Sequence, residues 1–139
     1  MDIERIHKAL TGGETTRVEF KSCRDKVSNS VYDTVCSFSN HSGGLIILGF
    51  DDDMNLIGVN KNASVNLKKN IINTLGNKEV FFPKLTIEPE IEEYDGKTII
   101  VIDVPVSQYP VRYKNKYFDR VGDADMDITD NMELVLGLF

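Results

Sequence analysis

The spacing of apolar residues predicts three helices, and Asp130 with Glu133 can cap a fourth. In the first three segments, apolar side chains recur every three or four positions, the repeat that places them on one face of a helix. A glycine follows each of the first three segments closely enough to end the helix there. The predicted helices span residues 2–10, 28–42 and 64–75, and the last begins near Asn131.

A different pattern predicts strands between these helices. Residues 17–21 alternate, with Val18 and Phe20 on one face and charged side chains on the other. Residues 45–50 are almost entirely apolar, which favours a central strand covered on both faces. A ribbon over residues 111–121 is predicted to turn at residues 114–116.

Three further strands are predicted at residues 56–59, 85–93 and 98–104. The sequence Asp95-Gly96 favours a hairpin turn between the last two. Because Pro89 has no backbone N–H to donate, residues 85–93 are predicted to form an edge strand, and the apolar residues 99–102 a central one. The pattern as a whole predicts an α+β fold, a mixed β-sheet flanked by helices.

Length and composition indicate one domain over residues 1–139. No apolar run reaches the roughly 18 residues of a membrane span. The N-terminus is acidic and lacks the apolar core of a signal peptide, so we expect a cytoplasmic protein without a membrane partner. The apolar C-terminal sequence has no polar tail, and we expect the domain to be the N-terminal part of a longer protein.

The formal net charge is −6, so any binding of nucleic acid must depend on local clusters of positive charge. One such cluster interleaves basic residues with tyrosines and comprises Arg112, Lys114, Lys116 and Arg120. Arg17 and Lys21 are candidates to extend this surface, with a solvated loop as the alternative. The ribbon is suited to phosphate contacts with stacking tyrosines, although a solvated hairpin with paired tyrosines is an equally open interpretation.

Asn40 precedes Gly43-Gly44 at the predicted end of the second helix. Its side chain and the glycine backbone are candidate donors to a phosphate. The alternative is that Asn40 satisfies carbonyl groups at the helix end. Cys23 and Cys36 lie thirteen positions apart and are predicted to be reduced structural thiols.

An ordered set of short motifs resembles the Schlafen AlbA-2 domain family. The motifs are Glu14, Glu19-Phe20-Lys21, Phe38-Ser39-Asn40 with Gly43-Gly44, Leu48-Gly49-Phe50-Asp51-Asp52, Ile57-Gly58-Val59, Val104-Pro105, and Tyr117 with Arg120 and Gly122. None is specific alone, but their order and spacing extend over most of the chain.

The resemblance implies two functions. In prokaryotes, similar domains are described as DNA-binding modules of transcriptional regulators. In animal Schlafen proteins, related lobes cleave structured RNA with two glutamates, an aspartate and a divalent metal. Carried over to this sequence, these carboxylates are Glu14, Glu19 and Asp52, which would be both catalytic residues and ligands of Mg²⁺ or Mn²⁺.

Three hypotheses follow. The leading one is a nucleic-acid-binding module of a transcriptional regulator, with DNA or RNA as its partner. The second is a metal-dependent endoribonuclease that uses the three carboxylates. The third is a protein-interaction or homodimerisation domain in which the edge strand at residues 85–93 pairs with another chain.

Overall fold

The computed structural model describes residues 3–139 and contains four helices and eight strands. The helices are α1 (Ile3–Gly12), α2 (Asn29–Asn40), α3 (Ser64–Leu75) and α4 (Met132–Leu138). The strands are β1 (Val18–Lys21), β2 (Gly44–Leu48), β3 (Phe81–Phe82), β4 (Glu90–Tyr94), β5 (Lys97–Val104), β6 (Arg112–Tyr113), β7 (Lys116–Val121) and β8 (Ala124–Asp127). The predicted α+β fold is confirmed, while Asp2, the predicted start of the first helix, lies outside the described residues.

The first sheet has the strand order β1-β2-β5-β4. Strands β1 and β2 are parallel, and the other pairs are antiparallel. As predicted, β5 is central and β4 lies at the edge. The edge strand begins only at Glu90, since the chain before Pro89 does not pair with the sheet.

Both faces of this sheet are covered by other parts of the protein. Strand β2 suits this position because it is apolar at every residue after Gly44. Ile46 and Leu48 contribute to a core shared with α2 and α3. Leu45 and Ile47 point to the other face, where they join a smaller cluster that contains Ile6 of α1. Within residues 3–139, no helix is both long enough and apolar enough to cross a bilayer.

The second sheet has the order β3-β6-β7-β8 and packs against α2. Its β6–β7 hairpin turns at Lys114 and Asn115, whose φ angles are 49° and 65°. Two consecutive positive φ angles define the type I′ turn, whose twist suits a two-residue hairpin. The predicted turn at residues 114–116 is therefore confirmed.

Helix α2 is buried on almost every side because it lies between the two sheets. Besides the predicted apolar face, its buried residues include Thr34, Ser37 and Ser39. The hydroxyl groups of Thr34 and Ser39 lie within hydrogen-bond distance of helix carbonyls one turn earlier, and for Ser39 this contact satisfies the hydroxyl within the helix. The interpretation of α2 as a one-sided amphipathic helix was incomplete.

One predicted strand needs correction, and two strands of the structure were not predicted. The predicted strand at residues 56–59 is absent. Leu56 makes an isolated bridge with Phe50, and the chain then folds back so that the backbone N–H groups of Ile57 and Gly58 both donate to the carbonyl of Gly49. Strand β3 has only two residues, too few for a periodic signal. Strand β8, with the sequence Ala-Asp-Met-Asp, lacks the apolar alternation that would have revealed it.

The connection from α2 to β2 requires glycine at Gly43. Its φ is +75°, a left-handed conformation that side chains disfavour. A Cβ atom there would lie 2.7 Å from the carbonyl oxygen of Val104. This close backbone contact fixes the path of the chain from the end of α2 into β2.

We predict that Gly43→Ala lowers the free energy of unfolding by at least about 1–2 kcal/mol, the cost of a left-handed conformation for a residue with a Cβ. The Gly12→Ala substitution is the matched control, since nothing lies within 4 Å of a Cβ at the end of α1. Urea unfolding of both variants measures the difference. Equal midpoints for the two would contradict the role assigned to Gly43.

Candidate functional site

A buried arginine on β7 joins the two sheets. Strand alternation places Arg120 on the same inward face as Phe118, and its side chain is 0% exposed. Its Nη1 atom donates to Glu19 Oε1 on β1 at 3.2 Å and to Asp125 Oδ1 on β8 at 2.8 Å. One cation thus connects an acid of the first sheet to an acid of the second.

The remaining contacts of Arg120 hold the guanidinium in place. Nε donates to the carbonyl of Thr16 at 3.3 Å, and Nη2 donates to the carbonyl of Thr15 at 2.8 Å. The guanidinium carbon lies 4.8 Å from the centroid of the Phe38 ring. From α2, the hydroxyl of Thr34 donates to Asp125 Oδ2 at 2.5 Å. Such a charge can remain buried because nearly all of its donors are satisfied.

The prediction that Arg120 contacts nucleic acid is wrong, because its guanidinium is enclosed within the protein. The side chain of Asn40 is also engaged internally. Its Nδ2 donates to the carbonyls of Val111 and Phe118, and its Oδ1 accepts from the N–H of Val111. Both amide hydrogens are therefore used, and Asn40 links α2 to the second sheet instead of offering donors to a phosphate.

The three candidate metal ligands are held in different environments. Glu19 is 5% exposed and faces Arg120. Glu14 is exposed and accepts a hydrogen bond from the backbone N–H of Phe20 at 3.1 Å. Asp52 is exposed in the turn after Phe50. Within residues 3–139, no group of three or more His, Cys, Asp or Glu side chains is arranged to hold a metal ion, so these residues do not fit the predicted Mg²⁺ or Mn²⁺.

The turn at Asp52 is organised by its neighbour. Asp51 Oδ1 accepts from the backbone N–H groups of Asp53 and Asn55, and its Oδ2 accepts from the Asn55 side chain. These hydrogen bonds, the one from the Asn55 backbone foremost, lower the pKa of Asp51 because they stabilise the carboxylate. Asp51 therefore has a structural role in this turn.

Beside the β6–β7 hairpin lies a cavity of about 230 Å³, which we call the lysine cleft. It is lined by two residues of α2 and four of the hairpin: Asn29, Asp33, Tyr113, Lys114, Lys116 and Phe118. Lys114 and Lys116 are exposed at its rim. Tyr113 and Phe118 are almost completely buried and belong to the main core. The cleft thus combines exposed cations with a buried aromatic floor.

Asp33 is the acid in this cleft. Burial, followed by repulsion from the carboxylate of Asp125, raises its pKa. The positive charges of Lys21, Lys116 and Lys114 act on it in the opposite direction. The charge of Lys21, at the end of β1, therefore acts on the same acid as the charges of the two hairpin lysines.

The other predicted basic residues lie elsewhere. Arg112 pairs with Tyr117 across the hairpin, on the strand face opposite Tyr113 and Lys116. Its guanidinium lies 5.2 Å from the centroid of Phe82. Arg17 lines a separate groove of about 530 Å³ between α1 and the turn at Gly43, where its Nε donates to the hydroxyl of Ser42. The basic residues that were predicted to form one surface therefore lie on separate parts of the protein.

Sequence reasoning missed Asn29 and Asp33. A signal was present, since residues four apart on a helix lie on one face, and Asp33 is the only charged residue of α2. What could not be read from the sequence was that this end of α2 faces the β6–β7 hairpin. That contact depends on the packing of the second sheet.

Comparisons with known proteins agree with this fold. A family model described as Schlafen, AlbA_2 matches residues 14–129. Among curated proteins, no relative matches the chain.

Two solved structures have similar folds. The DIP2311 protein of Corynebacterium diphtheriae is 17% identical with a TM-score of 0.64, and the match covers 90% of this chain and 30% of that one. The N-terminal domain of a putative ATP-dependent DNA helicase RecG-related protein from Nitrosomonas europaea is 23% identical with a TM-score of 0.63, and the match covers 88% of this chain and 90% of that one. The chain thus spans less than a third of the Corynebacterium protein.

We predict that Arg120→Met lowers the free energy of unfolding by about 3–5 kcal/mol, because it leaves Glu19 and Asp125 buried without their cation. Arg17→Met is the control, since Arg17 is exposed and its loss should change stability by less than about 0.5 kcal/mol. Urea unfolding monitored by circular dichroism gives both values. A loss for Arg120→Met no larger than that of the control would contradict the role of this network.

Proposed function

The chain belongs to the Schlafen AlbA_2 family, and from this membership together with the lysine cleft we propose that it is a nucleic-acid-binding module of a transcriptional regulator. The observation that carries the proposal is the grouping of Lys21, Lys114 and Lys116 around one half-buried acid. We place such a module in the cytoplasm, with DNA or RNA as its partner.

The charge distribution supports this proposal. A protein with a net charge of −6 repels a polyanion at long range, so binding requires a local surface of opposite sign. The charges of Lys21, Lys114 and Lys116 all act on Asp33, and the two hairpin lysines are exposed at the rim of the cleft. Phosphate contacts of this kind release counterions, which makes the affinity depend on salt.

The hairpin is suited to positioning these charges. The type I′ turn fixes the backbone at Lys114, and the N–H of Lys114 donates to the carbonyl of Val80 at 2.8 Å. A rigid backbone with flexible lysine side chains limits the entropy lost on binding while the ammonium groups follow the phosphates. The similar Nitrosomonas domain comes from a protein described as related to a DNA helicase, which is compatible with this partner class.

The two other hypotheses have weaker support. The three predicted carboxylates are not arranged as metal ligands, so we propose no metal-dependent cleavage. Pairing through the edge strand β4 would bring together two strands of sequence Glu-Ile-Glu-Glu-Tyr. Facing glutamates repel one another, and charged edge residues of this kind discourage pairing between chains.

We predict that the Lys114→Gln/Lys116→Gln double variant binds nucleic acid more weakly and with a shallower salt dependence. Loss of two phosphate contacts should reduce the slope of log affinity against log salt by about 1.5. The control Lys69→Gln/Lys97→Gln removes the same charge from α3 and the start of β5, away from the cleft. Fluorescence anisotropy with duplex DNA, single-stranded DNA and structured RNA over a salt series gives the slopes.

Two outcomes would contradict the proposed function. One is the absence of salt-dependent binding to any of the three nucleic acids at low salt. The other is an equal loss of slope in the cleft variant and in the control, since this would mean that only net charge matters.

A further inference from the structure

We propose that the lysine cleft binds one unpaired nucleobase that carries an exocyclic amine, which Asp33 and Asn29 recognise through hydrogen bonds. The inference rests on the proposed function and specifies its target as single-stranded nucleic acid containing cytosine, adenine or guanine. It assigns recognition of the base to two residues of α2 and the phosphate contacts to the surrounding lysines.

The dimensions and lining of the cleft suit a flat aromatic ring. The cavity of about 230 Å³ opens beside Tyr113 and Phe118, which are only 3% and 8% exposed and form a buried aromatic floor. An unstacked base can enter a pocket of this kind, whereas a base inside a duplex cannot reach it without being extruded. The pocket therefore favours unpaired nucleotides.

Two polar side chains face this space from one side of α2. Asn29 and Asp33 are four residues apart, so they lie on the same helix face. The Asn29 Oδ1 atom accepts from the hydroxyl of Tyr113 at 3.4 Å, which leaves the Nδ2 group as a donor. An ionised Asp33 offers only acceptors. The cleft thus presents a hydrogen-bond acceptor next to a donor.

This arrangement distinguishes bases by their exocyclic groups. The N4 amine of cytosine and the N6 amine of adenine donate to a carboxylate, as does the N2 amine of guanine, and the ring nitrogen beside the amine of cytosine or adenine accepts from an amide. Thymine and uracil have a carbonyl oxygen where cytosine has its amine. In the orientation in which cytosine directs its N4 amine at Asp33 and its N3 at the Nδ2 of Asn29, that oxygen faces the Asp33 carboxylate and the N3–H of thymine or uracil faces the Asn29 amide, so both contacts are repulsive.

The lysines can change partner when a base enters. Lys114 Nζ lies 5.4 Å from the centroid of the Tyr113 ring, and Lys116 Nζ lies 3.9 Å from Asp127 Oδ2. The side chains of Lys114 and Lys116 are both exposed. Contacts of this kind at exposed sites contribute little. Both ammonium groups are therefore available for the phosphates that flank the bound nucleotide.

A purely electrostatic role for Asp33 makes a different prediction. If Asp33 only moderates the neighbouring lysines, Asp33→Asn should tighten the binding of every oligonucleotide by the same factor. If Asp33 recognises an amine, the substitution should tighten binding of oligo(dT) while reducing the preference for oligo(dC). The ratio of the two affinities separates these roles.

The experiment measures fluorescence anisotropy of the complete chain with oligo(dC) and oligo(dT) of about 12 nucleotides, a length within the range that single-strand-binding domains occupy. We expect the unmodified protein to prefer oligo(dC) by about fivefold or more, the lower range for one good contact to a base edge. In Asp33→Asn the preference should fall towards one, while the salt slope remains. Asp123→Asn is the matched control, because Asp123 is an exposed acid outside the cleft.

The result distinguishes failure of this inference from failure of the proposed function. Equal tightening of both oligonucleotides by Asp33→Asn, or equal affinity of the unmodified protein for both, overturns the base pocket but leaves salt-dependent binding intact. Absence of salt-dependent binding to any nucleic acid overturns both proposals. Circular dichroism of each variant verifies that the fold is retained.

Discussion

The buried cation of Arg120 is the interaction on which the arrangement of the two sheets depends. It contacts Glu19 of β1 and Asp125 of β8 at the same Nη1 atom, and its other donors reach the backbone before β1. Apolar packing is not directional, and the hydrogen bonds of Asn40 tie the second sheet to α2 but not to the first sheet. A charge that is costly to leave unpaired fixes the relative position of the sheets.

This network also shapes the neighbouring lysine cleft. Asp125 accepts from Arg120 and from Thr34 of α2, and its negative charge contributes to the raised pKa of Asp33, one position before Thr34. The buried acids and the acid of the cleft therefore belong to one electrostatic system. Helix α2 carries both Thr34, which donates to the buried Asp125, and Asp33, which lines the cleft, so this helix links the buried network to the proposed binding site.

The apolar run of β2, the edge position of β4 and the hairpin turn at Lys114 were predicted correctly, the first from composition and the second from Pro89. Periodicity did not predict which charged side chains become buried. The alternation of β7 implied that Arg120 shares the inward face of Phe118, but a charged residue at such a position is normally assigned to the surface. The cleft could not be predicted, because α2 and the hairpin meet only through tertiary packing.

Because α2 is enclosed between the sheets, the amino acids at its buried positions are constrained by packing, whereas those at its exposed positions are not. Residues between Val31 and Ser39 are mostly buried between the sheets, so substitutions there disturb the core. Asn29 is exposed and Asp33 is only half-buried, and both line a cavity on the outside. Evolution can therefore exchange these two side chains with little effect on folding, and one scaffold can diverge towards different ligands.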